Sequence, residues 1–514
     1  MFVTPIDIVS FTLFFGLVVG VSLYKSRRER TREDYFLAGR GLTWPLIGLS
    51  MIAANISTEQ FVGMAGQSAG VAGLAVASYE WLSAVGLVVV ALVFLPRFLA
   101  AGIYTIPEYL EYRYNATTRL LMALYSVVIY VGVAIAAVIY TGALNINAIF
   151  GMPMTQAVWV IGVISAVYTA LGGLKAVAWA DLFQGSAIII GGLIVTVIGF
   201  GAVGGVGSFL SVNHDRLHLI LPAGHPVLPW TTLVFGLWIP VFYYWGLNQF
   251  IIQRTLAAKS LTHGQHGILF AAMLKLVIPF IIVLPGIIAL QLYPEALTGP
   301  GRTTDAAYPL LIKNLVSPGL RGLIFAAIFG AVVSTVAALL NSAATIFSLD
   351  LYRRHWQPDA PERRILLVGR LATVAFVVLG CLVAPRLASP VFKGIFNYMQ
   401  EFQGFLSPGV LAAFLFGLAV KRAPAASGVV ALGASPVVYL ALYLGAGHIA
   451  FLNRMGITFG VTMAAMAIVT IARPSAEARV VPVRRDVRAR PATSVLVLSI
   501  VVVALTALLY WRFW

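Results

Sequence analysis

Charge is scarce in this chain: of 514 residues only 10% are Asp, Glu, Lys or Arg, against 60% hydrophobic. With a mean hydropathy of +0.94, that shortage excludes the string of soluble domains that length alone would suggest and places the chain in the membrane class. Cysteine is scarcer still, Cys381 being the single one. One thiol excludes an intramolecular disulfide and leaves no zinc or thiol chemistry. There is no GxxxxGK[ST] loop to cradle nucleotide phosphates. The apolar runs are continuous rather than alternating with polar residues, which excludes a transmembrane barrel. His214, His218 and His225 share one loop without a supporting carboxylate pattern, so they read as solvated residues and no enzyme is expected.

What the chain does have is apolar runs long enough to cross a bilayer, where about 20 residues suffice. Fourteen can be counted, which makes the expected fold all-α. The charge that remains is unbalanced, 34 Lys and Arg against 18 Asp and Glu. The cations recur in alternate loops: Lys25, Arg27, Arg28, Arg30 and Arg32; Arg97, Arg113 and Arg119; Arg254 and Lys259; Arg353, Arg354, Arg363 and Arg364; Lys421 and Arg422; and residues 473–490. Such alternation reports orientation rather than nucleic-acid binding, and puts both termini outside a bacterial-type cytoplasmic (inner) membrane. Arg302, Lys313 and Arg321 are the exceptions in an intervening loop.

Polar residues concentrate between the second and eleventh runs. Residues 53–60, AANISTEQ, interrupt the second run, and Pro240, Tyr243, Tyr244, Trp245, Asn248 and Gln249 interrupt the seventh. Irregular backbone at membrane depth is tolerated only where protein or a water-filled cavity surrounds it, so each interruption marks a broken helix and a candidate ligand site. Two sets of five runs, each opening with a broken helix, suggest inverted repeats with a site at their interface. The expected division is a peripheral helix and basic cytoplasmic loop (1–42), a first repeat with an external loop (43–229), a second repeat (230–420) and three peripheral helices (421–514). Runs one and twelve to fourteen carry little polar information. Asp181 is expected just before the sixth run, after a turn at Gly172 and Gly173. Glu80 and Lys275 are ionisable groups in apolar runs and each needs a partner.

Several stretches resemble the sodium:solute symporter family, and within it the bacterial sodium/galactose and animal sodium/glucose cotransporters. They are AANISTEQFVGM (53–64), ASYEWLSA (77–84), GIYTIPEYLEYRY (102–114), GGLKAVAWAD (172–181), YYWGLNQFIIQRTLAAKS (243–260), LKLVIPF (274–280), NSAATIFSLDLY (341–352) and YMQEF (398–402). The resemblance implies the five-helix inverted-repeat fold of amino-acid symporters, with one helix before the repeats and three after.

It also implies a site. Na⁺, a hard cation, would take the backbone carbonyls of Ala53, Ile56 and Ala331 and the hydroxyls of Ser334 and Thr335, the last where relatives usually carry Ser. The bland alternative is that both hydroxyls bond back to their own helix. Asp181 would help release the ion or bind a second one, or else is an interfacial acid in water. Sugar hydroxyls would be held by Gln60, Glu80, Ser83, Lys275 and Gln400, with Asn55 nearby, while Tyr244 closes the site from the cytoplasm and Met64 from outside. Glu80 and Lys275 either neutralise one another through the sugar or form a permanent ion pair. Ala134 and Val241 stand where the bacterial galactose symporter has asparagines, so a sugar with a different or missing hydroxyl, or a cyclitol, enters beside a glucose- or galactose-like hexose. Sialic-acid members have an arginine in the fourth run, and here none follows Arg119. The expected function is sodium-coupled import of a neutral sugar by alternating access, with proton coupling through Glu80 as the rival.

Overall fold

The protein is described by a computed structural model over residues 3–26, 31–57, 59–299, 302–388, 395–483 and 490–514. Thr58 of the first interruption, Arg27, Arg28 and Arg30 of the first basic loop, Gly394 at the start of the eleventh run, and Arg484, Arg485 and Arg488 of the last loop lie outside them, as do the side chains of Glu59 and Tyr398.

Among the described residues the secondary structure is helical, apart from one isolated bridge between Leu42 and Ala258. In chain order the principal helices begin with α1 (Pro5–Ser26), α2 (Trp44–Asn55), α3 (Gly73–Ala101), α4 (Ala116–Asn147), α5 (Met154–Ala170) and α6 (Gly173–Ala202). The interrupted helix α7 follows in pieces, Trp230–Phe235, Trp238–Phe242 and Gln249–Leu256. Then come α8 (Leu261–Leu292), α9 (Leu320–Trp356), α10 (Glu362–Leu387), α11 (Ile395–Ala419), α12 (Ala425–Gly445), α13 (Phe451–Ala472) and α14 (Thr493–Arg512). Among the described residues, eleven of these fourteen are by themselves long and apolar enough to cross a membrane. The shortfall is α2 and α5, which are apolar but short, and α7. Continuous helices satisfy every backbone group within themselves, which is why apolar runs in lipid adopt them.

Burial grades the bundle from centre to rim. The apolar stretch of α9 is 94% buried and that of α8 72%, against 17% for α1 and 22% for α14. Small residues let the central helices touch: a Cβ at Gly330 of α9 would lie 2.7 Å from the Gln184 side chain of α6, and one at Gly185 would lie 3.2 Å from the Leu49 carbonyl of α2. Three helices thereby converge where α2 ends.

Four expectations change. The α5–α6 turn falls at Gly173, whose φ of 51° a β-carbon would resist. Helix α6 restarts there, so Asp181 lies two turns inside it and is buried, rather than before it at an interface. Arg254 is not a loop residue but is buried in the last piece of α7. Helix α1 is more than an anchor: Asp7 Oδ1 accepts from the Gly319 and Gly322 amides (2.8 and 3.0 Å), and the Arg321 guanidinium donates to its Oδ2 (2.7 Å). Nor are α12 and α13 featureless, because Tyr439 and Arg454 both donate to Glu401 of α11, at 2.6 Å each. In each case a partner elsewhere in the bundle lets a polar group leave water.

Cations of the alternate loops are tied together at one end of the bundle. Arg40 donates to the carbonyls of Ile103 (3.1 Å) and Leu256 (3.1 Å), and Arg113 to those of Gly417 (2.7 Å) and Val420 (2.6 Å). Glu111 bridges Arg119 and Arg354 at 2.7 and 2.6 Å. Burial alone would raise the Glu111 carboxyl, but hydrogen bonds from those two arginines outweigh it and hold it below the usual range. His214 and His218 lie in the loop after α6, with the His218 ring against the Trp514 carbonyl, in keeping with solvated residues.

Candidate functional site

Helix α2 ends because one residue, Ile56, turns extended (φ −82°, ψ 97°). The last helical bond runs from the Ile56 amide to the Ile52 carbonyl (2.8 Å), and the next amide, that of Ser57, donates to Gln60 Oε1 at 3.0 Å. Gln60 therefore stitches the break from its far side and releases the Ala53 carbonyl from the helical series. Exposed carbonyls at a helix C-terminus carry the negative end of the dipole, an electrostatic well for a cation. In α7 the same change occurs at Asn248 (φ −82°, ψ 117°), after a wide π-type turn over Tyr243–Leu247.

Between the two breaks lies a cavity of about 130 Å³. Gln60, Glu80, Ser83, Lys275, Gln400 and Asn55, all six expected sugar-binding residues, line it, and so do Tyr244 and Met64. Lys275 Nζ donates directly to Glu80 and to Asn55 Oδ1, and lies 4.6 Å from the centre of the Trp245 ring. The pair is direct. Asn55 Nδ2 in turn donates to the Tyr244 hydroxyl at 3.1 Å, so one chain of contacts joins α3, α8, α2 and α7. Trp81 Nε1 donates to the Leu276 carbonyl (3.1 Å) and fixes the register of α3 on α8. Tyr130 caps the second break by donating to Asn248 Oδ1. With its acid and its base paired, the cavity is neutral overall.

The expected sodium groups are all buried. Ala53, Ile56 and Ala331 have no exposure, and Ser334 and Thr335 have 1% and 4%. Of the five, only Thr335 reaches the cavity wall. The α9 hydroxyls turn toward other helices rather than back to α9: Thr335 Oγ1 donates to the Ala54 carbonyl at 3.3 Å and Ser334 to Asp181 Oδ1. Asp181 accepts also from Ser50 and from Arg254 at 3.2 Å, and Arg254 Nε donates to Ser50 at 2.6 Å. The side-chain groups of Ser50, Asp181, Ser334 and Thr335 present oxygens, the kind of ligand a hard cation prefers, and the acid among them is balanced by the Arg254 guanidinium.

Sequence reasoning missed Ser50 and Arg254, which complete the group around Asp181, and Gln403, which lines the cavity. Arg254 had a signal: a cation only five residues after the polar run 243–249, too close to lie outside the broken helix.

Broken helices around a neutral cavity, with a buried oxygen cluster beside it, define a membrane transporter that couples a small solute to a cation. Comparison with known proteins makes the assignment specific. The profile of the sodium:solute symporter family matches residues 35–434. The chain is 39% identical to the sodium/glucose cotransporter of Vibrio parahaemolyticus over 91% of this chain and 90% of the other. It is 34% identical to the sodium/myo-inositol cotransporter 2 of Sus scrofa, over 81% and 67%. A substrate-bound, outward-open Na⁺-coupled sialic acid symporter superposes with a TM-score of 0.82, covering 93% of this chain and 99% of that one at 23% identity, a likeness of fold. This chain belongs to the sodium:solute symporter family. It is a sodium-coupled solute symporter, and Na⁺ is its coupling ion.

Proposed function

We propose that the chain imports a neutral, glucose- or galactose-like hexose with Na⁺ by alternating access, across a bacterial cytoplasmic membrane. The observation that carries this is the neutral, hydrogen-bonding lining of the cavity, with Lys275 and Glu80 paired, placed directly against the buried oxygens of Ser334, Thr335 and the α2 terminus. Amide, hydroxyl, carboxylate and ammonium groups together suit a solute whose hydroxyls both donate and accept. Arg119, the one cation of α4, is committed to Glu111 and Asp350, which speaks against an anionic solute.

In this reading the short helices α2 and α5 and the interrupted α7 also cross the membrane, giving fourteen spans. Residues 43–229 and 230–420 are the two inverted repeats, and their opening breaks meet at the site. The gathering of loop cations at one end supports both termini lying outside. Na⁺ bound at Ala53, Ile56, Ala331, Ser334 and Thr335 stabilises the outward-open state, and sugar at Asn55, Gln60, Glu80, Ser83, Lys275 and Gln400 then permits closure. Coupling is the difference in affinity between states. Tyr244, held by Asn55, is the inner gate, and Met64 the outer one. Asp181 is the exit post for the ion. One charge moving through 100 mV supplies about 2.3 kcal/mol, roughly a fiftyfold concentration ratio.

A cyclitol is the second reading, favoured by the myo-inositol cotransporter among the relatives. Proton coupling through Glu80 is disfavoured, because Lys275 holds that carboxylate. Uptake of labelled hexoses and cyclitols into proteoliposomes, with and without a Na⁺ gradient, tests the proposal. Uptake indifferent to Na⁺ overturns it.

A further inference from the structure

The cavity has two kinds of wall, divided by helix. Its polar groups come from the α2 break (Asn55, Gln60), from α3, α8, α9 and α11, and from Tyr243, Tyr244, Trp245 and Asn248 around the α7 break. What α4 contributes is aliphatic, Ile129, Val133, Ala134 and Val138, except for Tyr130, whose hydroxyl is committed to Asn248. Before its polar stretch, α7 adds Leu237, Pro240 and Val241. Val241 is seated firmly, because a Cβ at Gly86 of α3 would lie 2.4 Å from its Cγ1, so the valine occupies a slot that only a glycine leaves open.

A hexose carries a hydroxyl on almost every carbon of its rim. One turned to Val133, Ala134 or Val138 meets only hydrocarbon side chains, and a buried hydroxyl without a partner is costly. A methyl group there gains by leaving water. The apolar C–H face of a pyranose does not account for this wall, since the Tyr244 ring already offers it a surface. We infer that the transported solute is a neutral sugar that turns a methyl or deoxy position toward Ala134 and Val241, as a 6-deoxyhexose does. This rests on the sugar reading above and narrows it.

The test is competition in matched pairs. Glucose, galactose and mannose are each set against their 6-deoxy counterparts as inhibitors of Na⁺-driven uptake by the full chain in proteoliposomes. The deoxy member should compete about tenfold better in every pair that competes at all, the scale on which an apolar pocket separates such analogues. In Ala134→Asn the preference should fall to near parity. Val241→Asn should do the same, and its melting temperature shows whether the Gly86 slot still closes. Na⁺-driven uptake in which parent hexoses compete as well as their deoxy partners, or a preference unchanged in folded Ala134→Asn, overturns the inference and leaves the sugar symporter reading intact. Absence of Na⁺-driven uptake of any neutral sugar overturns both.

Discussion

The two broken helices share one backbone device and put it to different uses. Ile56 and Asn248 have the same φ of −82° and similar ψ values. At the first break the residue is apolar and the backbone does the work: Gln60 takes the Ser57 amide, and the Ala54 carbonyl accepts from Thr335 of α9. At the second break the side chains do it. Asn248 is occupied by Tyr130, and the piece beyond is tied down by Gln249 to the Ile106 amide (3.0 Å) and Gln253 to the Phe36 carbonyl (2.7 Å). One break leaves backbone carbonyls to groups of other helices and the other is closed by its own side chains, leaving Tyr244 to reach across to the first. An interruption in a membrane helix therefore does not define a binding site by itself. Which groups its neighbours consume decides what it can hold.

The largest effect should come from the ion pair that lies between the breaks. Lys275→Ala leaves Glu80 buried without a counter-charge, a loss of about 3–5 kcal/mol, and should abolish transport and lower the detergent melting temperature sharply. Glu80→Gln with Lys275→Met should restore the melting temperature but not uptake. If the double variant transports sugar normally, the pair only joins helices. Next is Asn248→Ala, which strands the Tyr130 hydroxyl at a cost of about 1–3 kcal/mol. Adding Tyr130→Phe should recover most of that stability, and half-saturation by Na⁺ should stay within about twofold of the parent. Ser334→Ala should act the other way round: half-saturation by Na⁺ rises about tenfold, about 1.4 kcal/mol, with little change in melting temperature. Sodium titration of uptake checks both variants, and the reverse pattern would dissolve the division between the breaks. Smallest is Tyr244→Phe, which removes one neutral hydrogen bond of about 1 kcal/mol and should speed sugar exchange severalfold without altering the affinity for Na⁺.

Much of this was legible in the chain. Glu80 and Lys275 stand out because an ionisable group in an apolar run must find a partner, and only a few lie within reach. The breaks are visible because polar residues cluster where lipid would demand Leu or Val. Asp7 with Arg321, and Glu401 with Arg454, were not visible. Their members are joined by packing across large separations in sequence, and a cation near a helix end looks the same whether it faces water or a buried carboxylate. The start of α6 was misplaced for a related reason: Asp181 looks like a loop acid until Ser50, Ser334 and Arg254 surround it. Helix length obscured α2 and α5: the break divides the first of these runs into Trp44–Asn55 and the pieces Glu59–Met64 and Ala65–Ala69, and α5 spans only Met154–Ala170.

Asp7 caps the beginning of α9 from another helix, its carboxylate on the two amides of Gly319 and Gly322 and on Arg321. A helix rises about 1.5 Å per residue, so the distance from Arg321 to Ser334 is about 20 Å along one stiff rod. The outermost helix thus grips the handle of the rod whose middle carries Ser334 and Thr335, the residues proposed for the ion. Deleting the first ten residues, or loading the amino terminus with a bulky fusion, should then register as altered sodium affinity, although neither touches the cavity.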